Sequence, residues 1–110
     1  MNTMRNPTLQ PVISKIDAVL KLCGTDVQRD DGQAKGPMYK LGKARLCGLR
    51  VRSNHVSLLL FGLAANEPVP SGVTYARTGS HLRVEVHNYD DVLRAAPLLQ
   101  RTYEAASRRR

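Results

Sequence analysis

The sequence predicts an α+β fold. It takes the form of a two-layer sandwich with an N-terminal helix, an antiparallel sheet of three to five strands and a C-terminal helix. Three observations carry this expectation. Apolar residues recur at helical spacing near each end of the chain, the middle contains short runs of strand-like pattern, and those runs are separated by turn residues rather than by helices. At 110 residues the chain fits one domain and is too short for two independent cores. Apolar residues make up 42% and charged residues 24%, close to the globular norm, which argues against a wholly disordered chain.

The first helix is the clearest element. Leu9, Val12, Ile13, Ile16, Val19, Leu20 and Cys23 form a stripe over four turns, with Ser14, Lys15, Asp17 and Lys21 opposite. Thr8 is suited to the N-cap, Pro11 is tolerable in the first turn, and Gly24 is a natural stop. Residues Thr25 to Gly36 are polar and read as a loop. Asp26, Asp30 and Asp31 lie there without the ordered pattern and closing Glu of a calcium loop, so no calcium site is expected.

Strands follow. Met38 to Leu41 is a short candidate. Ala44 to Arg52 comes next, with Arg45, Cys47, Leu49 and Val51 on one side and Ala44, Leu46, Gly48 and Arg50 on the other. Arg52-Ser53-Asn54 is a turn, and His55 to Phe61 is apolar enough to lie centrally. A loop from Gly62 to Gly72 leads to an extended segment, Val73 to Arg77, and a tight turn at Thr78-Gly79-Ser80. His81 to His87 alternates most cleanly: Leu82, Val84 and Val86 inward, His81, Arg83, Glu85 and His87 outward. Asn88 and Asp90 are expected to cap a last helix whose apolar positions are Val92, Ala95, Ala96, Leu99, Tyr103 and Ala106. Pro97 sits deep in that pattern, and the expectation is a restart there, with Pro at the first helical position. The chain thus divides into a disordered lead at 1–7, one domain at 8–106 and a basic tail at 107–110.

The stretches Gly36-Pro37-Met38-Tyr39-Lys40-Leu41-Gly42-Lys43, His55-Val56-Ser57-Leu58-Leu59-Leu60-Phe61-Gly62 and Thr78-Gly79-Ser80-His81-Leu82-Arg83-Val84-Glu85-Val86 resemble the YdhG-like superfamily of small domains. So do the acidic helix start Tyr89-Asp90-Asp91 and the closing stretch Leu98 to Ala106. The resemblance covers roughly Ile13 to Ala106. It implies a fold, with a helix, an antiparallel sheet and a helix in that order, and no defined activity.

Charge and cysteine usage bound the function. Seventeen Lys and Arg against nine Asp and Glu give a formal net charge of +8. Removing Arg108-Arg109-Arg110 still leaves about +5, so the basic character belongs to the domain. Such a surface attracts nucleic acid, phosphorylated metabolites or acidic proteins. The longest apolar run, Val56 to Ala65, is too short to span a bilayer, and the N-terminal residues lack the apolar core of a secretory signal. A cytoplasmic protein with no membrane contact is the expectation. Cys23 and Cys47 are then reduced and read as small apolar core residues.

Two residue sets stand out. The row His81, Arg83, Glu85 and His87 would present a ligand or partner face, alternate residues being about 7 Å apart. His81 and His87 are about 20 Å apart by the same spacing and cannot share a metal, and His55 is the only further His. No metal and no cofactor is expected. The second set is Lys43, Arg45, Arg50 and Arg52, joined by Lys35 and Lys40 in a stretch without an acid between Lys35 and Glu67, with Arg77 and Arg83 extending it if the strands pair. An Arg-rich hairpin there could track a phosphate backbone, while Tyr39 and Tyr75 make only a thin stacking platform. No nucleophile elbow, phosphate loop, dinucleotide fingerprint or zinc-protease motif occurs, so the reading leans away from an enzyme. The expectation is a small non-enzymatic binding or interaction module, self-associating or binding an anion through an exposed sheet face. Sequence-independent nucleic-acid binding is the first alternative. A small-molecule or enzymatic pocket between helices and sheet is the second.

Overall fold

A computed structural model of the chain describes residues 9–32, 36–64, 66–79 and 81–109, without the side chain of Arg109. The element order is α1 (Gln10–Cys23), β1 (Gln28–Asp30), β2 (Met38–Leu41), β3 (Ala44–Val51), β4 (Val56–Phe61), β5 (Thr74–Arg77), β6 (His81–Val86) and α2 (Tyr89–Arg109). The strands form one antiparallel sheet in the order β1-β2-β3-β4-β6-β5. No helix among the described residues is long and apolar enough to cross a membrane.

The α+β class and the two terminal helices are as expected, but the sheet has six strands rather than three to five. The addition is β1, inside the segment read as a loop. Its three polar residues have no alternation to betray them, and backbone pairing of Gln28 with Lys40 and of Asp30 with Met38 makes them a strand. The chain also skips a place. After β4 it runs out to the sheet edge as β5 and returns by a hairpin, so β6 pairs with β4.

One face of the sheet carries the core. Tyr39, Leu41, Cys47, Leu49, Leu58, Leu60, Leu82, Val84 and Val86 are buried on it. The α1 stripe contributes Leu9, Val12, Ile16 and Leu20; α2 contributes Val92, Ala95, Leu98, Leu99 and Ala106. The second helix lies across β2, β3, β4 and β6, and α1 lies beside it. Where the helices meet the loop after α1, Gly24 admits the Tyr103 ring: a Cβ there would stand 2.3 Å from the Tyr103 hydroxyl. That hydroxyl donates to Asp26 Oδ1 at 3.0 Å. Asp30 accepts from the Gly32 amide and pairs with Lys40, and Asp31 pairs with Arg29, so each of the three loop aspartates has a structural partner.

Three local expectations are corrected. The second helix does not restart at Pro97 but runs unbroken through it to Arg109. Pro97 and Leu93, whose carbonyl loses its partner, both lie on the solvent side, where water can satisfy that carbonyl. The helix start is held by Asn88, whose Oδ1 accepts from the Asp91 amide at 2.9 Å, while Asp91, not Asp90, accepts from the His87 amide. In β3, Arg45 does not share a side with Cys47 and Leu49. A bulge opposite the Tyr39–Lys40 step leaves Leu46 without a partner, so Leu46 turns into the core and Arg45 joins Lys40 on the helix-free face. The proposed N-cap Thr8, the lead at 1–7, Lys35, Ser80 and Arg110 lie outside the described residues.

Two polar side chains lie inside this core. The Tyr39 hydroxyl donates to Asp17 Oδ1 on α1 at 2.7 Å, fastening the helix layer to the second strand. Burial alone would raise the Asp17 carboxyl pKa, but the Tyr39 hydroxyl, Lys21 and Arg29 outweigh it and hold the group below its ordinary 3.8. Tyr39→Phe should lower the unfolding free energy by about 1.5 kcal/mol in denaturant titration and move the Asp17 titration upward. Thr102 is the opposite case: it is fully buried on α2, and its Oγ1 has no hydrogen-bond partner among the described residues. Thr102→Val keeps the shape and removes the unpaired hydroxyl, so it should raise stability by about 1 kcal/mol, read as a higher melting temperature.

Candidate functional site

The candidate surface is the sheet face away from the helices. Antiparallel register determines who stands beside whom there. Leu59 faces Gly48 on one side and Arg83 on the other; Ser57 lies between Arg50 and Glu85; Phe61 faces His81. Gly48 lets the floor close, since a Cβ at that position would sit 3.2 Å from Met38 Cε and 3.7 Å from Leu59 Cβ.

This floor is covered although no second layer lies over it. Leu59 is 5% exposed, Phe61 8% and Ser57 3%. Long cationic side chains supply the cover. The Arg45 guanidinium lies 4.5 Å from the Phe61 ring centre, and the His81 ring packs on the same phenyl at 5.5 Å between centroids. Arg50 and Arg83 flank the strand on either side and are half-buried, and neither forms an ion pair among the described residues. In particular, Arg83 does not pair with Glu85, two residues away on the same face.

The electrostatic result is a concentrated positive field. His81 has its pKa pushed below 6.5, first by desolvation and then by repulsion from Arg50, Arg83 and Arg45. All three guanidiniums therefore act on one imidazole.

The two predicted residue sets merge in part. Arg45 and Arg50 from the basic set join His81 and Arg83 from the β6 row in one patch. Lys43 lies exposed in the β2–β3 turn and Arg52 just past β3, both at the rim. Arg77 does not extend the patch. It pairs with Leu82 in register and so occupies the opposite face, where it donates to the Glu67 carbonyl at 2.6 Å. Tyr39 is buried in the core and Tyr75 lies on the far edge strand, so no aromatic platform forms from them.

The other end of the same face holds His55, Glu85 and His87. One ligand-type atom from each lies within 4.8 Å of the others. The sequence reading named His55 as the only other histidine; the β4–β6 pairing is what brings it to His87, at 5.2 Å between ring centroids. Spacing along one strand could not reveal this, because it depends on which strand lies next to β6.

The remaining features are quieter. Cys47 is fully buried, and burial raises its thiol pKa to about 12; Cys23 is raised by partial burial and by Glu104. Both are free and neither has the electropositive setting of a reactive thiolate. An open groove of about 550 Å³ between α2 and the loop after β4 is lined by Glu67, Glu104, Arg101 and Arg108, with Arg101 bonded to Glu67. Comparisons with protein-family models, with curated proteins and with solved structures return no match, so the functional reading stands on this geometry.

The depressed His81 pKa has a stability consequence. The unfolded chain takes up this proton near 6.5 and the folded chain only at lower pH, so the contribution of neutral His81 to stability is lost as pH falls below 6.5. Proton NMR should place the His81 midpoint below 6.5, and Arg83→Gln should move it upward.

Proposed function

We propose that this chain is a non-catalytic binding module whose helix-free sheet face takes the phosphate groups of a nucleic-acid backbone. The observation that supports this reading is the strand register, which puts Arg45, Arg50, Arg83 and His81 on one helix-free face, with Arg45 stacked on Phe61. Three planar cations on a rigid sheet suit bidentate contact with phosphate oxygens. A bound phosphate relieves their mutual repulsion and favours the protonated form of His81.

Sequence independence follows from the same geometry. The Phe61 phenyl in the patch is already covered by Arg45 and His81 and offers no free face for a base to stack on, so contact is left to the phosphates. Self-association through this face gains little support. A stable dimer needs apolar area to bury, and Leu59 and Phe61 are already out of water.

Fluorescence anisotropy with labelled DNA and RNA, single- and double-stranded, tests the reading across a salt series. Affinity should fall steeply with salt, and each of Arg50→Gln and Arg83→Gln should reduce the slope of log K against log salt by about 1. Arg94→Gln on α2 removes the same charge from the helix side and should change binding far less. Equal losses for face and control variants would reduce the interaction to net charge and remove the proposal. Inorganic phosphate and a nucleoside triphosphate, added as competitors, separate a backbone site from a small-anion site.

A further inference from the structure

The second cluster on this face is built differently from the first and supports its own proposal. His55 immediately precedes β4 and His87 immediately follows β6. Val56 pairs with Val86, so the next position outward on the two antiparallel strands brings the two histidines together. Glu85 is two residues before His87 and therefore on the same face, one step back along the strand. Sheet register alone thus gathers two imidazoles and a carboxylate at one corner.

The rings are also oriented from behind. His55 Nδ1 lies 2.8 Å from Asn54 Oδ1, an atom that can only accept, so Nδ1 carries the proton and Nε2 keeps its lone pair. His87 Nδ1 lies 3.4 Å from Asp91 Oδ2. That carboxylate is itself fixed by the His87 amide at 2.9 Å and by Arg94 through its other oxygen at 3.0 Å. An oxygen acceptor at one nitrogen of each ring leaves the other nitrogen to ligate, which is the arrangement that metal-binding histidines need.

We propose that His55, Glu85 and His87 bind a divalent transition-metal ion of the zinc class, with Asn54 and Asp91 as positioning residues. The donor set favours such an ion: two imidazoles with one carboxylate suit zinc or cobalt, whereas calcium and magnesium take oxygen donors. The three ligand atoms stand within 4.8 Å of one another. Metal bonds of about 2.1 Å bring donors to about 3.4 Å apart, a closure of about an ångström by side chains that are only partly buried. The site provides three protein ligands on an open face, so at least one coordination position remains for water or an external donor. This assignment does not depend on the nucleic-acid reading. The ligands are not members of the arginine patch, and either proposal can fail alone.

Titration of the full chain with Zn2+ in a calorimeter, and with Co2+ followed by its visible absorption, tests the site. One ion should bind per chain, and the His55 and His87 ring signals should shift together in NMR spectra of the unmodified protein. His55→Gln, Glu85→Gln and His87→Gln should each weaken binding at least 10-fold, and Asp91→Asn should weaken it by about 10-fold through ring orientation. Cys23→Ser should leave it unchanged. Far-UV circular dichroism confirms that each variant is folded, and the ring shifts in the unmodified chain serve if one variant is not. No binding, binding that survives His55→Gln and His87→Gln together, or binding lost in Cys23→Ser would overturn the assignment.

Discussion

The structure turns on a strand that must be dry on both faces while only one face is covered by helices. All six residues of β4 are buried, and its neighbours β3 and β6 close it in laterally. On one face Val56, Leu58 and Leu60 meet the helix layer. On the other, Ser57, Leu59 and Phe61 have only side chains from their own sheet. Burying a Leu or Phe contributes about 1.5–3 kcal/mol, a large part of a net stability of about 5–15 kcal/mol, so leaving this floor wet would be costly. Long, flexible cations solve the problem: their stems lie over apolar surface and their heads remain in water. The binding patch is therefore also the second wall of the core.

This double role explains why arginine rather than lysine occupies the face. A guanidinium is planar, less strongly hydrated than an ammonium and able to lie on an aromatic ring, as Arg45 does on Phe61. The bulge in β3 belongs to the same solution. Were β3 regular, with Leu46 taking an ordinary place in the ladder, Arg45 would share the Cys47 side and face the helices, leaving Phe61 without that cover.

The sequence disclosed periodic features well and neighbour relations poorly. The α1 stripe and the alternation of His81 to Val86 identify their elements because one face of each is buried, and burial writes its period into the residues. The class, both helices and the outward row of β6 were legible for that reason. Gln28–Asp30 was not, since a polar edge strand buries nothing, and the β4–β6 adjacency was not, since strand order leaves no local mark. That adjacency decides the site. It puts Arg83 beside Leu59, His81 beside Phe61 and His87 beside the residue before β4. Four of the five residues in the basic set were read as one hairpin, yet only Arg45 and Arg50 reach the patch. A one-residue bulge reversed the side of Arg45, and the opposite parity of β5 sent Arg77 to the other face.

The distribution of charge separates a solubilising surface from a functional one. Outside the arginine patch several basic residues are paired with acids: Lys21 and Arg29 with Asp17, Lys40 with Asp30, Arg94 with Asp91, Arg101 with Glu67. Within it, Arg50 and Arg83 form no ion pair among the described residues. Glu85 stands in the row of Arg50, across Ser57, and one row from Arg83, yet it groups with His55 and His87 rather than with either arginine. His81 stands below its ordinary 6.5, first through desolvation and then through repulsion from Arg50, Arg83 and Arg45. On the proposed reading, an arriving anion relieves that repulsion, whereas a role in solubility alone would gain nothing from it.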